Sequence, residues 1–151
     1  MQLSTRGRYA VMALVDLAVR EPEGVPRRIS LAEIAARQGI SPAYLEQLFA
    51  RLRRAGLVLS ARGPNGGYGL ARRAEEISIA AVICAVDDGG DVAGDCCLDA
   101  GHTAASDCPT AALWRALCLH VHDFLASITL ADVVSGRLGA APPPRCPSQA
   151  A

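Results

Sequence analysis

The sequence of 151 residues contains no lysine, so every permanently basic side chain is an arginine. It has no uncharged run near the roughly 18 residues that a membrane span requires. Its first twenty residues place Arg6, Arg8, Asp16 and Arg20 on the polar side of a helical pattern and lack the apolar block of a signal peptide. It also lacks a Ser or Cys paired with His on regular elements and a glycine-rich phosphate loop. We therefore expect a cytoplasmic protein that is not an enzyme and has no membrane partner and no small-molecule substrate.

The net charge is zero, but the charges are unevenly distributed along the chain. Residues 1–74 hold twelve arginines and five acidic residues, whereas residues 75–151 hold three arginines and ten acidic residues. A basic half of this kind is the electrostatic pattern expected of a protein that binds a polyanion. Two ordinary solvated surfaces that differ in composition are the alternative.

The stretch from residue 30 to residue 71 has the pattern of a winged helix-turn-helix, around which the chain is organised. Ser30 and Glu33 form a predicted capping box, in which each side chain accepts the other residue's backbone N–H. A short helix follows from Leu31 to Gln38. Gly39 ends it, because glycine tolerates the left-handed conformation just beyond a helix terminus.

A second, basic helix begins at Ser41 and Pro42, an N-cap followed by proline at the first helical position. It runs to about Ala55. Its predicted inward residues are Leu45, Leu48, Phe49 and Leu52, and its predicted outward arginines are Arg51, Arg53 and Arg54. Two short strands, 57–61 and 68–71, follow and are joined by a loop rich in turn residues. Helix, tight turn, basic helix and basic-tipped hairpin together fit a DNA groove.

The remainder of the chain alternates between helical patterns and loops. Helices are predicted over 7–19, 79–87 and 109–127, with a short turn from Leu130 to Val134. About twenty residues without apolar periodicity, from Asp88 to Asp107, precede the third of these helices, and loops of that length are usually functional or disordered. We expect a mainly α fold with three parts. They are a winged helix-turn-helix domain with a small β-hairpin wing (1–74), a loop with a long C-terminal dimerisation helix (75–138), and a disordered tail (139–151).

The long C-terminal helix carries a continuous apolar stripe. Its members are Leu113, Leu117, Val121, Phe124, Leu125 and Ile128, with Trp114 beside them. A small monomeric domain leaves such a stripe uncovered, so we predict a homodimer formed through this helix. An internal core helix is the alternative.

Six cysteines in a chain expected in the cytoplasm point to metal binding or redox chemistry more than to a disulfide framework. Cys84 and Cys118 lie within helical patterns and are expected to be small buried residues, and Cys146 lies in the tail. Cys96, Cys97 and Cys108 lie at the ends of the long loop, with His102 between them. Thiolate and imidazole are ligands for iron–sulfur clusters and for zinc. From these residues alone, a cluster, zinc and free thiols all remain open.

Several segments together resemble the Rrf2 family, and within it the branch of iron–sulfur cluster regulators, over about residues 2 to 135. They are LSTRGRYA at 3–10, QGIS at 38–41, YLEQLF at 44–49, RGPNGGY at 62–68, VICAVD at 82–87 and ALW at 112–114. The resemblance implies a dimeric winged-helix transcription factor with the long C-terminal helix at the dimer seam. It also implies a loop with three cysteines and one further ligand that hold a cluster. The implied function is control, by repression, of genes for cluster assembly or iron homeostasis.

This sequence departs from the family pattern at the cluster loop. Cys96 and Cys108 match the outer two family cysteines, but His102 takes the place of the middle one. The histidine that the family places three residues after the last cysteine is Ala111 here, and the carboxylate that other branches recruit from the first helix is replaced by Arg8. We predict a [2Fe–2S] cluster held by Cys96, His102, Cys108 and Cys97.

We expect two copies of the basic helix to enter successive major grooves of a palindromic operator, about 34–36 Å apart. Tyr44, Glu46 and Gln47 are the predicted base contacts, since Glu accepts from cytosine N4 and Gln bonds adenine bidentately. Arg51, Arg53 and Arg54 are the predicted phosphate contacts, and Arg62 at the hairpin tip is predicted to enter the minor groove. Ser41 and Asn65 complete the predicted DNA-binding set.

Two alternatives belong to other functional classes. One is a cluster-free, thiol- or zinc-responsive winged-helix repressor. The other is an iron–sulfur carrier or interaction module that no longer binds DNA, which the basic N-terminal half argues against.

Overall fold

The computed structural model describes residues 4–20, 28–63, 66–87 and 110–138, and only the backbone of residues 111 and 114. The helices are α1 (Thr5–Arg20), α2 (Leu31–Gln38), α3 (Pro42–Arg54), α4 (Ile79–Val86), α5 (Ala111–Ser127) and α6 (Leu130–Val134), with a turn of 3-10 helix at Ala74–Glu76. Two strands, β1 (Val58–Ala61) and β2 (Gly67–Leu70), form an antiparallel hairpin after α3. The predicted mainly α fold with a small β-hairpin is confirmed. The tail from residue 139 lies outside the described residues.

Both ends of α2 form as the sequence predicts, with a capping box at its start and a glycine turn between it and α3. Ser30 Oγ accepts the backbone N–H of Glu33 at 3.3 Å, and the Glu33 carboxylate accepts the Ser30 N–H at 2.9 Å. Gly39 has a φ of 64°, a left-handed conformation that glycine adopts without steric cost. Ile40 is buried in the core immediately after it. The chain therefore reverses sharply between the two helices.

The hairpin is fixed to the helical core by a third short segment. β1 pairs with β2 in a register that sets Val58 opposite Leu70. The backbone N–H of Ile29 donates to the Tyr68 carbonyl at 3.0 Å, and the Tyr68 N–H donates back at 2.8 Å. A Cβ at Gly67 would lie 2.6 Å from the Ile29 carbonyl oxygen, so only glycine allows this close approach. The base of the wing is thus held by backbone bonds.

The core gathers around α1, which contacts α2, α3, α4, α6 and β2. The largest fully buried side chains are Leu14, Leu17, Ile34, Leu45, Leu48, Phe49, Leu52, Val58, Ile77, Val82, Val86 and Leu130. All four predicted inward residues of α3 are among them, which confirms that prediction. The Phe49 ring also meets the Tyr68 ring edge to face, with centroids 4.9 Å apart. This contact seats α3 against the hairpin.

Asp16 of α1 is buried, with only 9% of the residue exposed, which corrects its assignment to the polar side of the helix. Its carboxylate accepts hydrogen bonds from Arg37 Nε at 3.1 and 3.2 Å and from Arg20 Nε at 3.4 Å. The periodicity of α1 alone could not reveal this burial, because the decisive partner, Arg37, comes from α2. Desolvation by itself raises the pKa of Asp16, but the bonds and charges of the two arginines outweigh it and hold the pKa below its ordinary value.

The second half of the described chain is tied together at the starts of α4 and α6. The backbone N–H of Ile79 donates to the Ile128 carbonyl at 2.9 Å, and that of Leu130 donates to the Ile77 carbonyl at 2.9 Å. Thr129 caps α6 through a capping box with Asp132. Among the described residues, no helix is both long and apolar enough to cross a membrane.

Candidate nucleic-acid interface

The N-terminal end of α3 faces solvent. Ser41 occupies the N-cap position, and its side chain makes no capping hydrogen bond. Ser41 and Pro42 are both exposed. Backbone N–H groups at the start of a helix, together with the positive end of the helix dipole, favour a phosphate. The geometry around Ser41 therefore suits a contact with an anionic backbone.

Two of the three predicted base contacts project freely from α3. Glu46 and Gln47 are exposed, while the residues that flank this pair, Leu45 and Leu48, are buried. Tyr44 differs, because it is half-buried with its ring edge to face against Tyr9 of α1, at a centroid distance of 5.9 Å. The ring of Tyr44 consequently helps to fix the start of α3 on α1.

Two of the three arginines near the end of α3, Arg53 and Arg54, are exposed but have different hydrogen-bond partners. Arg53 is exposed, and its Nη1 donates to Ser60 Oγ on β1 at 3.3 Å, which links the helix to the wing. Arg54 is exposed, and its Nε donates to the Ala50 carbonyl within the same helix at 3.3 Å. Both side chains thus lie at the surface near the end of α3, and the Arg53 side chain also contacts the hairpin.

Arg51 corrects the expectation that all three arginines point outward. It is half-buried, and its Nη1 donates to the backbone carbonyl of Val86 at 2.9 Å. The reason is the placement of α4, whose last turn lies against α3 and presents a carbonyl to this side chain. With Arg54, Ala55 and Ala85, Arg51 lines an open pocket of about 350 Å³. A phosphate contact by Arg51 stays a prediction.

The wing supplies the remaining predicted DNA contacts. Arg62 directly follows β1 and is exposed. Asn65 lies outside the described residues. Arg72 is a further arginine near this surface that was not among the predicted DNA contacts. Its Nη2 would be 3.9 Å from a Cβ at Gly56, so this exposed guanidinium lies near the end of α3. A hairpin register drawn from the sequence could have suggested this position.

The predicted cluster ligands Cys96, Cys97, His102 and Cys108 lie outside the described residues. Within the described ranges, no group of three or more His, Cys, Asp or Glu side chains could hold a metal ion. Cys84 and Cys118 are both half-buried. Both therefore differ from the small buried residues expected from the helical pattern.

Fold and surface together define a winged-helix protein whose helix α3 carries arginines and has an exposed face. The sequence profile of Rrf2, described as an iron-dependent transcriptional regulator, matches residues 3–136. The chain belongs to the Rrf2 family and is a transcriptional regulator rather than an enzyme.

Individual relatives agree with this assignment. The chain is 48% identical over 137 residues to the HTH-type transcriptional regulator IscR of Erwinia tasmaniensis, which covers 91% of this chain and 81% of the relative. Among solved structures, it resembles T. potens IscR with a TM-score of 0.72 and 38% identity, covering 91% of this chain and 88% of that one. It also resembles CymR, the global cysteine regulator of B. subtilis, with a TM-score of 0.74 and 33% identity, covering 90% and 98% of the two chains.

Proposed function

We propose that this chain is a dimeric, iron–sulfur-cluster-dependent regulator that binds a palindromic operator and represses genes for cluster assembly or iron homeostasis. The single observation that supports this most is its 48% identity, over 91% of its length, to a regulator named IscR. The exposed basic helix α3 beside an arginine-bearing hairpin supports the DNA-binding part of the proposal.

In the proposed complex, α3 enters the major groove with its N-terminal half toward the bases. Glu46 and Gln47 are exposed there and contact base edges, while Ser41 contacts a phosphate. Tyr44 stays packed on Tyr9, so at most the edge of its ring meets DNA.

Arginines at the other end of α3 and on the wing supply the contacts that do not depend on sequence. Arg53 and Arg54 are exposed near the C-terminal end of α3 and would hold phosphates on one side of the groove. Arg62 and Asn65 on the wing would reach the adjacent minor groove, where a narrow A·T-rich stretch attracts arginine. In this arrangement the wing and α3 bind the same segment of duplex.

Dimerisation is proposed through α5. Leu113, Leu117 and Phe124 on this helix are 61%, 40% and 50% exposed in the single chain. Large apolar side chains exposed together on one helix mark an interaction surface. A second copy of α5 would cover them and would set two α3 helices on one operator, which is why the operator should be palindromic.

Cys96, Cys108, His102 and Cys97 are the residues proposed to hold a [2Fe–2S] cluster. Three thiolates and an imidazole have the chemistry that iron–sulfur clusters require, and replacing a thiolate by histidine raises the reduction potential. A bound cluster supplies a redox-active centre whose presence depends on iron, sulfide and oxidants. The chain's own residues would convert that occupancy into a change of DNA affinity.

A cluster-free regulator is the second candidate, because the chain also resembles CymR, a cysteine regulator, over 90% of its length. Two measurements on freshly purified, anaerobic protein separate the candidates: a UV–visible spectrum, and counts of iron and acid-labile sulfide. Visible charge-transfer bands with equal iron and sulfide support the cluster. A colourless protein that stays colourless after anaerobic reconstitution favours the cluster-free regulator.

The ligand set is tested on the same preparation with single variants. Cys96→Ala, Cys108→Ala and His102→Ala are each expected to abolish or shift the visible bands, while Cys146→Ala serves as a matched control that leaves them unchanged. A spectrum unaffected by all three substitutions would overturn the proposed ligands.

A further inference from the structure

The last residue of α4, Val86, and the C-cap residue that follows it, Asp87, are each held by a side chain of the DNA-binding half. Arg51 of α3 donates from Nη1 to the carbonyl of Val86 at 2.9 Å. Ser4, whose Oγ also accepts the Gly7 N–H at the start of α1, donates its hydroxyl to the Asp87 carboxylate. The next residue in the sequence, residue 88, begins the segment that carries the proposed cluster ligands.

The Arg51 bond has the chemistry of a helix C-cap supplied from another helix. Val86 is the last residue of α4, and the final carbonyls of a helix have no partner within it. A guanidinium satisfies such a carbonyl and also interacts favourably with the negative end of the helix dipole. The bond is charge-assisted and joins residues 35 positions apart, so it is a direct link between the recognition helix and α4.

We infer that Arg51 is a positioning residue that couples the cluster segment to the recognition helix, an inference that rests on the proposed cluster-dependent function. A change in the segment that begins at residue 88 acts first on Val86 and Asp87, because they directly precede it. Arg51 then passes a shift of the Val86 carbonyl to the last turn of α3, which follows the base contacts and includes Arg54. Because such coupling is reciprocal, binding of α3 to DNA should in return change the affinity of the segment for its cluster.

The test compares cluster-loaded and cluster-free protein without DNA, using amide hydrogen exchange of α3. Exchange in the wild type is expected to differ between the two forms, and in Arg51→Met, which keeps the length but loses the donors, the difference is expected to disappear. Arg51→Lys retains a charged donor and should preserve most of the difference. A difference that persists in Arg51→Met would overturn the inference.

Affinity provides the second readout, with a palindromic duplex selected by the wild-type protein as the probe. The ratio of dissociation constants between the two forms is expected to be about 5- to 150-fold in the wild type and close to one in Arg51→Met, with unchanged visible bands. The matched control is Arg54→Met, which removes an arginine whose hydrogen bond in the described part of the chain is to the Ala50 carbonyl of α3 itself. It should weaken both forms and keep the ratio.

The remaining outcomes separate the inference from the proposed function. Visible bands with a wild-type ratio near one would overturn both, whereas a large wild-type ratio that Arg51→Met retains overturns only the coupling. If Arg51→Met does not fold, Arg51→Leu, which also lacks a donor, takes its place, and an unchanged ratio in that variant contradicts the inference.

Discussion

Asp16 and Arg37 form a two-pronged ion pair that fastens the first helix of the helix-turn-helix to α1. Both Arg37 Nε and Nη2 donate to the carboxylate, whose side chain is only 8% exposed. Arg20 donates to the same group from one turn along α1. This buried carboxylate therefore helps to fix α2, and through the tight turn α3, on α1.

Replacing Asp16 with Asn should destabilise the fold by about 1–3 kcal/mol, because the amide cannot accept both charged donors and leaves Arg37 uncompensated. The free energy of unfolding, from urea titration at pH 7, measures this change. Glu75→Gln is the control, since it breaks only the exposed pair between Glu75 and Arg73 and should cost little.

The same pair predicts how stability depends on pH. The folded-state pKa of Asp16 is lowered, so its contribution is fully present above the unfolded pKa of about 3.9 and is lost as the pH falls through the folded value. Asp16→Asn should flatten the acid limb of the stability curve, although Asp132, whose pKa is lowered chiefly by its bond with the Thr129 hydroxyl, still contributes there. An acid limb identical to that of the wild type would contradict this account.

Removing the carboxylate of Glu46 should relax sequence preference. If Glu46 accepts from a cytosine N4, Glu46→Ala narrows the discrimination against a changed base pair at that position by about 1–3 kcal/mol. Fluorescence anisotropy with a panel of single-base operator variants measures the effect. Glu75→Ala removes the same charge away from α3 and should leave the panel unchanged. A uniform loss of affinity across the panel would make Glu46 something other than a base contact.

Arg53 should act on all sequences alike. Arg53→Gln is expected to weaken binding uniformly and to reduce the slope of log K against log salt by about one, as for the loss of one phosphate contact. Arg137→Gln, which removes an exposed arginine beyond α6, should leave the slope unchanged. If the slopes of the two variants coincide, Arg53 does not touch DNA.

Placing a charge on α5 should separate the proposed dimer. Leu117→Glu puts a carboxylate within the exposed apolar surface and should give a monomer at micromolar concentration in sedimentation velocity. Leu59→Glu is the matched control, because Leu59 is 49% exposed but lies on β1 rather than α5. A wild-type protein that sediments as a monomer under these conditions would rule out the α5 dimer.

Local chemistry made much of this fold predictable. Ser30 and Gly39 act within a few residues of themselves, and the cap and the turn that they form lie where the sequence places them. The inward face of α3 follows from helical periodicity alone. These features depend on spacing along the chain, which is what a sequence displays directly.

The features that escaped prediction depend on partners distant in sequence. Asp16 is buried because Arg37 arrives from α2, and Arg51 turns inward because the end of α4 offers the Val86 carbonyl. Neither partner is within the reach of a local pattern. The cluster ligands were predicted from residue type and resemblance, and their proposed arrangement lies outside the described residues.

Selection of binding sites from a random duplex library, once with cluster-loaded protein and once with cluster-free protein, would show whether a cluster controls DNA binding by this dimer. The loaded protein should enrich a palindrome whose half-sites lie about one helical turn apart, and the cluster-free protein should enrich it differently or much less. Equal enrichment by both forms, or the absence of any symmetric site, would contradict the claim that a cluster controls DNA binding by this dimer.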